Sequence, residues 1–179
     1  MTSILLVAIN PSDNSAIVSL SDSIAKVFAA PVHLMQLPLD ASFAFNSSRN
    51  QFNSTSILSG LLDKFGDHDG KILGVTDGDL FVPVLTYVFG EAQLEGKAAV
   101  VSSHRLRDEF YGLQEDREIF MERLLKESVH ELGHTFGLIH CSSYLCVMHS
   151  STGVEEIDMK TDRFCEECTQ KLQSAVPSR

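Results

Sequence analysis

The sequence predicts an α/β domain on a mixed, mostly parallel sheet with one antiparallel edge strand, and three observations carry that prediction. Short apolar runs without alternation, the pattern of strands covered on both faces, recur along the first hundred residues. Stretches with helical apolar spacing separate them. Two strand-like runs around Glu95-Gly96 then read as a hairpin, which puts one antiparallel strand into the sheet. At 179 residues and 44% apolar content, the chain can bury a proper core as a single domain.

Taken in order, Ile4 to Ala8 is a continuous apolar run ended by Asn10-Pro11, and reads as a buried strand. Asn14 to Ala29 places Ile17, Leu20, Ile24 and Phe28 at helical spacing. Pro31 follows, and Val32 to Leu37 is a second strand. Residues 38–53 mix Ser, Asn and Phe without a period and read as a loop. Ser54 to Phe65 is a short helix, Gly66-Asp67-His68-Asp69-Gly70 a turn, and Ile72 to Val75 a third strand. Tyr87 to Gln93 and Lys97 to Ser103 make the hairpin. The charged stretch Arg105 to Glu118 leads into a long helix over residues 116–136.

That helix ends in the most informative stretch of the chain, His130-Glu131-Leu132-Gly133-His134-Thr135-Phe136-Gly137-Leu138-Ile139-His140. Two imidazoles four residues apart lie about 40° apart around a helix, so His130 and His134 can grip one metal ion. Glu131 then sits beside the metal without being a ligand. Continuing the helix would rotate His140 by about 240° from His134, onto the far side. The chain must therefore turn, and Gly137 is placed to adopt the left-handed conformation that ends a helix. Three His leave the fourth position of a tetrahedral zinc free for water, as a catalytic site requires. A bare HExxH arises by chance in roughly one chain per few hundred of this length, but Gly137 and His140 in addition make coincidence negligible.

All four cysteines follow, as Cys141-x4-Cys146 and Cys165-x2-Cys168. Two short-spaced pairs fit a closed four-thiolate zinc site, with disulfides as the rival reading suited to oxidising compartments. Because Cys141 follows His140 directly, neighbouring residues would serve different metals.

These motifs, with Met148 two residues past Cys146, resemble the archaemetzincins, metzincin-type zinc metallopeptidases with an added cysteine-bound zinc. Leu73-Gly74-Val75-Thr76-Asp77 with Asp79-Leu80, and Phe89-Gly90-Glu91-Ala92, are similar to that family as well. The resemblance implies a zincin-like fold, catalytic zinc at His130, His134 and His140, Glu131 as general base, and peptides as substrates. It implies two zinc ions per chain, the second at Cys141, Cys146, Cys165 and Cys168, and a methionine turn at Met148. Metzincins bind substrate antiparallel to a rim strand, which points to Phe89, Gly90, Glu91 and Ala92 as substrate-binding residues. Ser150 stands where some other metzincins carry a Tyr that supports the oxyanion. The expected division is an N-terminal part over 1–137 with the sheet and active-site helix, and a small C-terminal zinc-bound part over 138–179.

On the long helix, Arg123, Lys126 and Glu127 share the face of His130 and His134, and are expected to be solvated surface. Asp158 and Lys160 also match the family's segment before the last cysteines, as supporting groups or as surface. The net charge of −10 disfavours nucleic acid as a partner, and no run of about 20 apolar residues provides a membrane span. The first residues lack a cationic leader and a long enough apolar run for a signal peptide, so a cytoplasmic protein is expected. The resemblance implies a peptide or protein as partner, and a monomer is expected. Two rivals to the peptidase are a zinc-binding scaffold or peptide binder without activity, and an interaction module built on the cysteine zinc. Glu131 argues against the first, because binding zinc needs no base there.

Overall fold

A computed structural model describes residues 2–10, 13–35 and 39–175. The elements are β1 (Ser3–Ile9), α1 (Asn14–Phe28), β2 (Val32–Leu34), β3 (Phe45–Asn46), β4 (Gln51–Asn53), α2 (Ser54–Phe65), β5 (Gly70–Thr76) and β6 (Leu80–Phe81). After them come β7 (Gly90–Ala92), β8 (Ala98–Ser102), α3 (Arg117–Thr135), α4 (Val154–Met159) and α5 (Glu166–Ala175). The main sheet has the order β2-β1-β5-β8-β7. Its first four strands run parallel, and β7 returns antiparallel along β8 as the edge.

The apolar runs are continuous because helices cover both faces of this sheet. From β1, Ile4 and Leu6 join α1 residues Leu20 and Ile24 and α3 residues Leu124 and Leu132 in one buried cluster. Leu5, Val7 and Ile9 point the other way, onto Ile57, Leu58 and Leu61 of α2. A third cluster joins the end of α3 to the C-terminal segment through Val129, Leu138, Val147 and Met148. Helix caps fall where the sequence supplies oxygen acceptors: Asp13 accepts from Ala16 N–H, Asn53 from Ser56 N–H, and Asp116 from Ile119 N–H. Among the described residues, no helix is long and apolar enough to cross a membrane.

Three differences from the sequence reading matter. The stretch 38–53 is not only loop, since β3 and β4 form a small sheet with β6, in the order β3-β4-β6. Strands of two or three residues are too short to show a period. The second strand ends at Leu34; positions 36–38, where the sequence reading continued it to Leu37, lie outside the described residues, as does Pro11. Finally, Arg123, Lys126 and Glu127 are not solvated surface, being only 5%, 7% and 3% exposed. The segment through α4 folds back over that helix face and brings its own charges. Lys160 Nζ lies 2.8 Å from Glu127, and Arg123 reaches both Asp158 and Asp108 at 2.7 Å. The surface reading of Lys160 fails for the same reason, as it is 2% exposed.

Candidate metal centre and catalytic cleft

Helix α3 delivers His130 and His134 one turn apart and then stops. Leu138 N–H bonds to the Gly133 carbonyl and Gly137 N–H to that of His134, the paired bonds of a Schellman cap. Gly137 sits at φ +88°, the left-handed conformation that glycine adopts without a Cβ penalty. The reversal carries His140 back, and the ligand atoms of His130, His134 and His140 all lie within 4.8 Å of one another.

The ring tautomers follow from the partners. His130 Nδ1–H donates to the Val147 carbonyl at 2.8 Å, and His134 Nδ1–H to the Leu138 carbonyl at 2.7 Å. A carbonyl can only accept, so each Nε2 is left with its lone pair. The two Nε2 atoms face each other at 3.1 Å. Two lone pairs at that distance repel unless a cation lies between them, and nitrogens of a tetrahedral zinc site lie about 3.4 Å apart. Burial, with Lys160 next, holds the His130 pKa well below its ordinary value, and burial lowers those of His134 and His140 too. Burial thus favours the neutral, ligating form of all three imidazoles. The residues fit a zinc ion.

Glu131 is 6% exposed and lines the cleft next to His130. Burial drives its carboxyl well above the usual carboxylate range; Glu127 adds repulsion and Lys160 opposes it. A Cβ placed on Gly90 would lie 2.6 Å from Glu131 Cγ and 2.7 Å from the Val100 carbonyl oxygen. The glycine of the rim strand therefore makes room both for this side chain and for the backbone of β8. Below the helix, Met148 is fully buried, and its Sδ would be 2.5 Å from a Cβ on Gly133. Gly133 lets the methionine pack closely against the helix between His130 and His134.

Around these groups the cleft divides into two recesses that share Gly90, His130, Glu131 and His140. One, of about 360 Å³, continues along Leu85–Phe89 and Ser150–Thr152, with Glu127 in its wall. The other lies toward Ala92, Leu94 and Ile139. The upper rim is the open edge of β7. Ser102 N–H bonds to the Phe89 carbonyl and Gln93 N–H to that of Ala98, which turns Phe89, Glu91 and Gln93 toward β8. The backbone groups of Gly90 and Ala92 are left facing the cleft. Phe89 itself is buried in the core, and the Glu91 side chain accepts from Ser54 and Thr55.

The four cysteine sulfurs also lie within 4.8 Å of one another. Cys141 Sγ and Cys165 Sγ are 3.8 Å apart, far beyond the 2.05 Å of a disulfide and equal to the roughly 3.8 Å edge of a tetrathiolate zinc site. Backbone N–H groups of Ser143 and Cys165 point at the sulfurs of Cys141 and Cys146, as partners for thiolates.

Sequence reasoning missed two long-range pairs of this region, the buried Glu127 with Lys160 and the more exposed Tyr87 with Thr152. Their separations of 33 and 65 residues leave no local pattern; only the unusual charge density on the histidine face of α3 hinted at the first.

Three convergent imidazoles beside a buried carboxylate, under an open strand edge, define a zinc metallopeptidase. The comparisons agree with that class. The family model for Peptidase family M54 matches residues 17–174. An archaemetzincin of Methanocaldococcus jannaschii is 47% identical over 131 residues, covering 73% of this chain and 71% of that protein. The crystal structure of a zinc-dependent peptidase from Methanocorpusculum labreanum superposes with a TM-score of 0.86 at 30% identity, covering 95% of this chain and all of that one. The crystal structure of the archaemetzincin of Archaeoglobus fulgidus, complexed with malonate, gives a TM-score of 0.82 at 37% identity, covering 95% and 99%. The chain belongs to peptidase family M54, the archaemetzincins.

Proposed function

We propose that this peptidase hydrolyses peptide bonds at the three-histidine centre, with Glu131 as general base, and holds two zinc ions. His130 and His134, through their Nε2 atoms, would hold the catalytic ion together with His140, and Cys141, Cys146, Cys165 and Cys168 would hold the second as a closed structural site within a C-terminal part that begins at residue 138. A zinc ion at the histidines supplies Lewis acidity, lowering the pKa of water and polarising the scissile carbonyl. Substrate adds as an antiparallel strand to β7, bonding to the outward N–H and C=O groups of Gly90 and Ala92. That pairing fixes the scissile bond over Glu131. Its carboxylate takes a proton from the attacking water and passes it to the leaving nitrogen, and burial gives it the raised basicity that this role requires. Met148 shapes the floor beneath.

The observation that carries this reading is the approach of Glu131 Cγ to the position that a Gly90 Cβ would fill. It places a buried carboxylate between the helix ligands and the strand edge, where metal binding alone needs no such group. Incubating zinc-loaded wild type and Glu131→Ala with a peptide library, and mapping products by mass spectrometry, tests it. Turnover should fall about two to four orders of magnitude with zinc content unchanged. Equal hydrolysis by both proteins would remove Glu131 from the mechanism.

A further inference from the structure

The cleft is not equally open at its two ends. Tyr87, on the upper rim three residues before Gly90, donates its hydroxyl to the Thr152 carbonyl at 2.6 Å. Thr152 lies on the opposite bank, four residues past Met148, so this hydrogen bond crosses from one bank to the other. Both residues line the recess that begins at Glu131.

The bridge is held on each side. The Arg105 guanidinium lies 4.0 Å from the Tyr87 ring centre, and Arg105 is itself fixed by two 2.7 Å bonds to Asp79. Val88 N–H is bonded to Leu80, which ties this part of the rim into the small sheet. On the far bank, Thr152 N–H and Oγ1 both donate to the Glu156 carboxylate. At the other end, Leu94 and Ile139 are 57% and 63% exposed and flank an open approach.

Direction decides what the bridge does. A peptide antiparallel to β7 enters past Ala92 and leaves past Gly90 toward Tyr87, so the bridged recess receives the residues after the scissile bond. At about 3.3 Å per residue, the stretch from Gly90 to Tyr87 accommodates about three of them. We propose that the Tyr87–Thr152 bridge closes the leaving-amine end of the cleft, so that the enzyme favours substrates ending within about three residues of the scissile bond and trims short peptides from C-termini. This inference rests on the peptidase reading and on antiparallel pairing with β7.

A cleavable sequence from the library, extended by one to six residues after the scissile bond, tests it with zinc-loaded protein. Wild-type kcat/KM should drop at least tenfold between three and five residues. Tyr87→Phe, which removes only the hydroxyl, should narrow that drop about two- to tenfold, the range of one neutral hydrogen bond. Tyr87→Ala, which removes the ring as well, should narrow it further. Binding of the same peptides to zinc-loaded Glu131→Ala, with and without Tyr87→Phe, gives a readout independent of turnover: affinity should fall with length, and less so when the hydroxyl is gone. Length-independent turnover and binding in wild type, or ratios that the Tyr87 variants leave unchanged, would overturn the bridge. Hydrolysis unaffected by Glu131→Ala, with binding still length-dependent, would instead overturn the catalytic reading and leave the bridge standing.

Discussion

The three-histidine and four-cysteine clusters meet at the His140–Cys141 peptide bond, yet they are built differently. Two histidines come from one rigid helix, and the third is exposed in a cleft. The cysteines come from two short pairs, and two of the four are buried in the C-terminal core. The links between them are also unequal. Val147, next to Cys146, accepts the hydrogen bond that fixes the His130 tautomer, and Cys141 N–H bonds to the Met148 carbonyl. The cysteine cluster thus holds the loop that orients the histidine cluster. Among the described residues nothing comparable runs the other way, because α3 is already fixed by its packing on the sheet. Loss of the closed site should therefore damage the open one, while loss of the open site should leave the closed one intact.

The largest expected effect tests that asymmetry. Cys168→Ser should cost on the order of several kcal/mol in folding free energy, because a closed zinc site contributes its binding energy to the fold. Metal analysis and thermal melting should show both zinc ions weakened and the transition lowered. His134→Ala should lose one zinc ion and all hydrolysis, and keep its melting transition. A folded, active Cys168→Ser protein would end the comparison.

Next comes the buried pair behind the histidines. Lys160→Met leaves the Glu127 carboxylate without its cation and should destabilise by about 3–5 kcal/mol in urea, while Lys160→Met with Glu127→Met should recover most of that loss. A smaller effect on stability but a clear one on rate is expected of Gly90→Ala. The added methyl must displace Glu131, and a shift near 1 Å can cost about a hundredfold in kcat. Zinc content, measured in parallel, should not change. Smallest is Met148→Leu, a near-isosteric swap expected to cost less than about 1.5 kcal/mol with both zinc ions retained.

The parts legible in the sequence are those encoded by short spacings. The order His130-x3-His134 with Gly137 and His140 specified helix, turn and convergence, since each step depends on dihedral geometry over a few residues. Apolar runs at β1 and β5, and the hairpin that makes β7 an edge, were legible on the same grounds. The charged face of α3 was not. Periodicity reports that Arg123, Lys126 and Glu127 share a face, but what covers that face is decided by Asp158 and Lys160, more than thirty residues later. The small sheet of β3, β4 and β6 was hidden similarly, because its pairing is long-range and its strands are too brief to carry a pattern.

Graded zinc removal tests the central claim most directly. Holoprotein titrated with a chelator is followed at each step by zinc content, peptide hydrolysis and thermal melting. The account predicts that the first equivalent lost takes hydrolysis with it and leaves the melting transition in place, and that the second removes the transition. Hydrolysis that survives the first loss, or a transition that collapses with it, would contradict the division into an open catalytic and a closed structural site.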